Sequence, residues 1–154
     1  MHLQDHVLRQ GLKHDGTSYV PNLAKSWEVT QGGTIYTFQL NKGVKFHDGD
    51  ELTAADVVFS LERLRNPPKG VLSPQKDLFQ SIERIEAPDP YTVKVTLQYS
   101  DPLLIETVAL SSHVIFPKHV VEAKGDMKKT VLGSGPFKFV RFEPGVVGEF
   151  AKNN

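Results

Sequence analysis

Between the turn Pro88-Asp89-Pro90 and Tyr99 the chain alternates without exception. Tyr91, Val93, Val95 and Leu97 are interleaved with Thr92, Lys94, Thr96 and Gln98. Successive side chains of an extended strand point to opposite faces, so a period of two defines a half-buried strand with one apolar and one polar side. Ile82, Ile85 and Ala87 lie just before the proline turn, which makes residues 82–87 and 91–98 a hairpin. A second hairpin is predicted earlier. Trp27 and Val29 belong to one β-rich run, Ile35 to Leu40 to another, and Gln31-Gly32-Gly33 supplies the turn between them. Pro21-Asn22 precedes the first of these runs and Asn41-Lys42-Gly43 closes the second.

The clearest helix begins at Thr53. Thr53-Ala54-Ala55-Asp56 has the form of a capping box, in which the third helical residue reaches back to the amide of the cap; Asp is shorter than the usual Glu or Gln for that bond. Val57, Val58, Leu61 and Leu64 recur at helical spacing as one buried stripe, and Asn66-Pro67-Pro68 ends the helix because the residue before proline avoids helical angles. Residues 69–81 are expected to carry a short helical turn. A helix is expected from Leu103 to Leu110 after Pro102. Another is expected from Pro117 through Ala123, ended by Gly125. Gly133-Ser134-Gly135-Pro136 is a loop, followed by a strand over 137–142 whose buried face the pattern leaves open, and by a last strand over 146–150. The sum is an α+β domain, mostly antiparallel sheet with a few helices packed on one face.

The chain has 154 residues, 39% of them hydrophobic, which is enough for one cored domain. Lys plus Arg number 18 and Asp plus Glu number 18, mixed along the chain, so the net charge is zero and there is no electrostatic footprint for nucleic acid or anionic lipid. The absence of cysteine excludes disulfides, thiolate nucleophiles and thiolate zinc sites. No stretch reaches the roughly 18 apolar residues of a membrane span. The first residues, Met1-His2-Leu3-Gln4-Asp5, lack the basic and apolar regions of a signal peptide, so composition leaves the compartment open.

Three segments carry a family resemblance. The first is Leu23-Ala24-Lys25-Ser26-Trp27-Glu28-Val29 with Tyr36-Thr37-Phe38 and Leu40. The second is Val44-Lys45-Phe46-His47-Asp48-Gly49 with Leu52-Thr53-Ala54-Ala55-Asp56-Val57-Val58-Phe59-Ser60. The third is Gly133-Ser134-Gly135-Pro136-Phe137-Lys138. In order and spacing they resemble the extracellular solute-binding protein family 5, the peptide- and nickel-binding components of ABC importers. The resemblance implies a portion of one lobe of a two-lobed, periplasmic-binding-protein type II-like fold. Residues 1–22 would arrive from the core lobe, residues 23–132 form an accessory α+β domain, and residues 133–154 return to the core lobe. Trp27, Phe46, Asp48, Gly49, Thr53, Asp56, Gly135 and Pro136 would be its structural signature. It further implies a full-length parent that binds a peptide or other small solute outside the membrane, in the periplasm or at the extracellular face, and delivers it to an ABC permease. Such a protein breaks no bond and needs no catalytic residue, cofactor or metal. A full family member is far longer than this chain, and its opposing lobe supplies much of the ligand pocket.

Several residues invite a chemical reading of their own. His47-Asp48-Gly49-Asp50 offers metal-ligand or acid/base groups, against a plain β-turn leading to a capped helix. Gly133-Ser134-Gly135-Pro136 lacks the spacing of a nucleophile elbow. His113 and His119 are six apart and divided by Pro117, so they do not make a zinc pair on one helix face, and His119 reads as a surface residue. Trp27 reads as core, and Gly32-Gly33 as a turn rather than a phosphate loop. In the resembling family the segment 110–114 lies near the cleft rim, which makes Ser111, Ser112 and His113 candidate ligand contacts, with a capped helix end as the alternative. Two other functional readings stand beside transport: a self-associating or protein-interaction domain, and a small metal-dependent hydrolase built on His47 and Asp48.

Overall fold

A computed structural model describes residues 8–13, 16–110, 113–125, 127, 132–143 and 145–153. Along the chain run β1 (Leu8–Lys13), β2 (Gly16–Pro21), β3 (Ala24–Thr30), β4 (Ile35–Leu40), α1 (Ala54–Arg65), β5 (Ile82–Asp89), β6 (Thr92–Leu97), α2 (Leu104–Ala109), α3 (Lys118–Lys124), β7 (Phe137–Glu143) and β8 (Val147–Lys152). Strands β3 to β6 form one antiparallel sheet in the order β3-β4-β6-β5, while β1–β2 and β7–β8 are separate two-stranded hairpins.

The alternating segment sits where its pattern demands, as an inner strand of the sheet. On β6, Val93 and Val95 are fully buried and Leu97 nearly so. Phe38 on β4 stands opposite both Trp27 and Val93, and Tyr36 opposite both Val29 and Val95. Ile85 on β5 continues that second row beside Val95. The row thus crosses four strands and buries its middle members, which is how cross-strand pairs stabilise a sheet. Trp27, on the outer strand β3, is half-buried against the core cluster.

Strand β5 runs to Asp89, two residues past the expected end, so Pro88 lies inside it. The ladder accommodates Pro88 because β5 is an edge strand and its register breaks between Glu86 and Asp89. The turn is correspondingly tighter, and the Tyr91 amide donates to the Asp89 carboxylate at 2.8 Å. Gln31-Gly32-Gly33 forms a single 3-10 turn between β3 and β4, with Gly33 at φ 88°. A Cβ there would approach the Ser100 hydroxyl at 2.5 Å, so both backbone angle and space call for glycine.

Helix α1 packs on β5, β6 and α3. Val57 and Leu61 are buried, with Val58 and Leu64 half-buried beside them. The short Asp56 side chain does reach back, and the Thr53 amide donates to its Oδ2 at 2.9 Å. The helix stops at Asn66, ahead of Pro67, with the Asn66 amide bonded to the Glu62 carbonyl at 2.7 Å. Asp56 and Ser60 are buried too, and the periodicity of the apolar stripe gave no sign of that. The other Asp56 oxygen accepts the Lys118 amide at 2.9 Å, and the Ser60 hydroxyl accepts the Phe116 amide at 2.8 Å while donating to the Asp56 carbonyl at 2.7 Å. One edge of α1 thereby fixes the backbone that leads into α3.

Helix α2 is shorter than expected at both ends. Leu103 is 64% exposed, and Leu110 has left the helical region at ψ 135°. A 3-10 turn over Lys76–Phe79 fills the segment expected to hold a helical turn and buries Phe79 completely. Gly125 ends α3 at φ 81°. The hairpin β7–β8 pairs Phe139 with Phe150, and Val140, Val146 and Phe150 remain exposed on it. No helix among the described residues is long and apolar enough to cross a membrane.

Stability should rank with this packing. Leu61→Ala is expected to cost about 2–5 kcal/mol through lost methyl groups and a cavity. Thr53→Ala should cost about 1 kcal/mol. Asp56→Ala removes the cap bond and leaves the Lys118 amide without its acceptor, so it should exceed Thr53→Ala by about 1–3 kcal/mol. Urea unfolding of the three variants checks the order, and equal costs for Thr53→Ala and Asp56→Ala would show that the bond to Lys118 contributes nothing.

Candidate functional site

The segment 44–51 is a turn anchored from below. Phe46 is 2% exposed, Lys45 pairs with Glu51 across the turn, and the Phe46 amide donates to the Asp50 carbonyl at 2.8 Å. Gly49 takes φ 101°, a conformation that a side chain would strain. With Phe46 pointing into the core, Asp48 and Asp50 both project outward, and the Asp50 amide donates to Asp48 Oδ1 at 3.2 Å.

His47 stitches this turn to the loop 133–136. Its amide donates to the Gly133 carbonyl at 2.8 Å. Its Nδ1 accepts the Gly133 amide at 3.2 Å, and its Nε2 lies 2.9 Å from the Gly135 carbonyl. A donor on one ring nitrogen and an acceptor on the other select the neutral tautomer with the proton on Nε2. Asn153 completes the stitch from β8's end, donating through its side chain to the Gly135 carbonyl at 3.0 Å and through its backbone to the Pro136 carbonyl at 2.9 Å. A polar groove of about 310 Å³ lies between turn, loop and β7–β8, lined in part by Lys45, Ser134, Lys138 and Asn153.

The structure brings to this turn a residue that the sequence kept apart from it. His119, in the first turn of α3, places Nε2 2.9 Å from Asp48 and 3.2 Å from Asp50. The Phe46 ring meets the His119 ring edge-on, with centroids 6.3 Å apart. Of the four residues in the motif His47-Asp48-Gly49-Asp50, the histidine faces the loop and the two aspartates face α3.

The base of the turn is tied to the sheet through Glu51. Its carboxylate accepts the Gly43 amide at 2.8 Å and the Tyr91 hydroxyl at 2.8 Å. The Gly43 amide, then the Tyr91 hydroxyl, hold this carboxyl below the ordinary glutamate range, and Lys45 and Lys42 add to the effect. The same bond pushes the Tyr91 hydroxyl up.

The other candidate region follows α2. Ser111 and Ser112 lie outside the described residues. His113 is 1% exposed; its Nδ1 donates to the Thr107 carbonyl at 2.6 Å, and its ring tilts against Phe79 with centroids 5.1 Å apart. The structure therefore places the His113 ring inside the core. Trp27 lies on β3, and Pro136 is exposed on the loop next to Gly135.

The chain matches the family model for bacterial extracellular solute-binding proteins, family 5 (middle portion), over residues 18–154, and it belongs to that family. A curated relative, the di/tripeptide-binding protein 2 of Pseudomonas aeruginosa, is 33% identical over 155 residues, covering 87% of this chain and 29% of that protein. Among solved structures, AgaA of A. tumefaciens R10 in complex with agropinic acid superposes with a TM-score of 0.85 at 34% identity, over 97% of this chain and 30% of that one. NikZ of Campylobacter jejuni in complex with Ni(L-His) gives 0.84 at 30% identity, over 98% and 30%. The fold is thus a portion of a periplasmic-binding-protein type II-like architecture, and the chain spans less than a third of each of these proteins.

Two outcomes are expected at the turn. Because folding lowers the Glu51 pKa, its bonds stabilise the fold fully above the unfolded value, and that contribution is lost as pH falls through the folded one. The difference in melting temperature between wild type and Glu51→Gln should therefore hold steady above the ordinary glutamate value of 4.5 and shrink progressively as pH falls below it. Parallel curves from pH 7 to pH 3 would show that the charge on Glu51 is immaterial. His47→Ala should speed hydrogen exchange of the Gly133 amide, followed by NMR or mass spectrometry, while amides of β6 stay protected.

Proposed function

We propose that this chain is the accessory portion of an ABC-importer solute-binding protein whose full-length form captures a short peptide or another small solute outside the cytoplasmic membrane. The observation that carries the reading is the match of nearly the whole chain, at TM-scores of 0.84 to 0.85, to proteins solved with small solutes bound. One of those solutes is agropinic acid and another is Ni(L-His), and the curated relative is named for di- and tripeptides. A shared accessory portion beside such different ligands supports a scaffold role for these residues and a choice of solute made elsewhere in the parent. Two lobes closing over the ligand by hinge motion would present a docked form to a membrane permease. Ser111, Ser112 and the chain around His113 are the residues of this portion that we place at the cleft rim. His113, being buried, would act there by holding the backbone rather than by touching solute.

A ligand in such a cleft gains affinity when both lobes desolvate it and complete its hydrogen bonds. The 154-residue chain alone should fold and bind peptides only weakly, with Kd near or above about 1 mM, or about −4 kcal/mol. Calorimetry against a pool of di- to pentapeptides measures this directly. Submicromolar binding by the chain alone would place the whole pocket within these residues and end the two-lobe reading.

A further inference from the structure

The cluster on the outer side of the turn has a geometry that the solute-binding reading does not use. Asp48 and Asp50 come from the turn, His119 comes from α3, and their ligand-type atoms all lie within 4.8 Å of one another. First-row divalent cations bind imidazole nitrogen and carboxylate oxygen at about 2.0–2.2 Å. Two donors in adjacent positions around such an ion are then about 3.0 Å apart in an octahedron and about 3.4 Å apart in a tetrahedron. The His119 nitrogen stands 2.9 Å from the Asp48 oxygen and 3.2 Å from the Asp50 oxygen, which is the spacing of neighbouring ligands. We propose that Asp48, Asp50 and His119 form a binding site for a first-row divalent cation such as Zn²⁺.

The cluster is more than a patch of acidic residues. One nitrogen and two oxygens form the mixed donor set that suits borderline ions of the first row, whereas Ca²⁺ and Mg²⁺ favour oxygen alone. The donors are held from two elements 71 residues apart in sequence. The turn geometry orients both aspartates, and the edge of Phe46 backs the imidazole. Without metal, the same three groups are held by the His119–aspartate contacts and the Asp50–Asp48 bond described above. With metal, neutral imidazole and two carboxylates neutralise the ion's two charges, and water completes its shell on the exposed side. The ion would staple the turn to the first turn of α3. His47, the histidine inside the motif, cannot be the donor, because both its ring nitrogens face the loop.

The test is calorimetric titration of Zn²⁺ into EDTA-stripped wild-type chain, with thermal unfolding alongside. One Zn²⁺ per chain and a raised melting temperature are expected. His119→Gln and Asp50→Asn should each weaken binding by roughly tenfold or more, with circular dichroism confirming that both variants fold. Asp50→Asn is an independent arm should His119→Gln unfold. A chain with His2, His6 and His14 replaced by Ala should keep wild-type affinity. No binding by wild type, binding that survives both cluster variants, or binding lost with the three N-terminal histidines would each overturn the proposal. The first of these outcomes would leave the cluster a hydrogen-bonded contact only.

Discussion

The described structure hangs on one buried carboxylate. Asp56 is 6% exposed, and its two oxygens serve different parts of the chain, one closing the N-terminus of α1 and the other holding the Lys118 amide. A buried carboxylate without partners would be costly, but here backbone N–H donors occupy both oxygens, and the positive end of the helix lies beside it. Ser60, one turn further on, holds Phe116. Together they set where α3 starts. That start in turn decides where His119 falls, and hence what the outward side of the 44–51 turn can do. Thr53 to Ser60 are among the residues that carry the family resemblance, and their geometry gives a reason: they join the helix to a segment nearly sixty residues later.

A second join runs through His47, which bonds three times to the loop 133–135. Beyond that loop the hairpin β7–β8 forms no part of the four-stranded sheet, and it leaves Val140, Val146 and Phe150 exposed. An isolated two-stranded hairpin is marginal in water. In the transport reading proposed above, the remaining two-thirds or more of the parent would supply the strands and helices that cover such a hairpin.

Local features were legible where one segment contained all the physics. The alternation from Tyr91 to Leu97, the glycine turn at Gln31-Gly32-Gly33, the cap at Thr53 and the stop at Asn66-Pro67 each correspond to an element in the structure. Boundaries were less legible where tertiary context intervened. Pro88 signalled the end of a strand, yet an edge position with a broken register tolerates it. Helix α2 is one residue shorter at each end, with Leu103 as its N-cap and Leu110 extended at ψ 135°. His113 read as a candidate ligand contact or part of a capped helix end, and its burial against Phe79 follows only from where the 76–79 turn packs.

The sequence by itself determined the α+β class, the period and hand-over of most elements, and the family to which the chain is similar. Those depend on side-chain alternation, capping chemistry and glycine or proline angles, all of which act over a few residues. Only the tertiary structure decided that Asp56 holds Lys118, that His47 clasps the 133–135 loop, and that His119 meets Asp48 and Asp50. Each of those contacts joins residues 60 or more apart through a hydrogen bond between polar groups. Such bonds leave no periodic trace along the chain, because their partners become neighbours only once the apolar faces have packed.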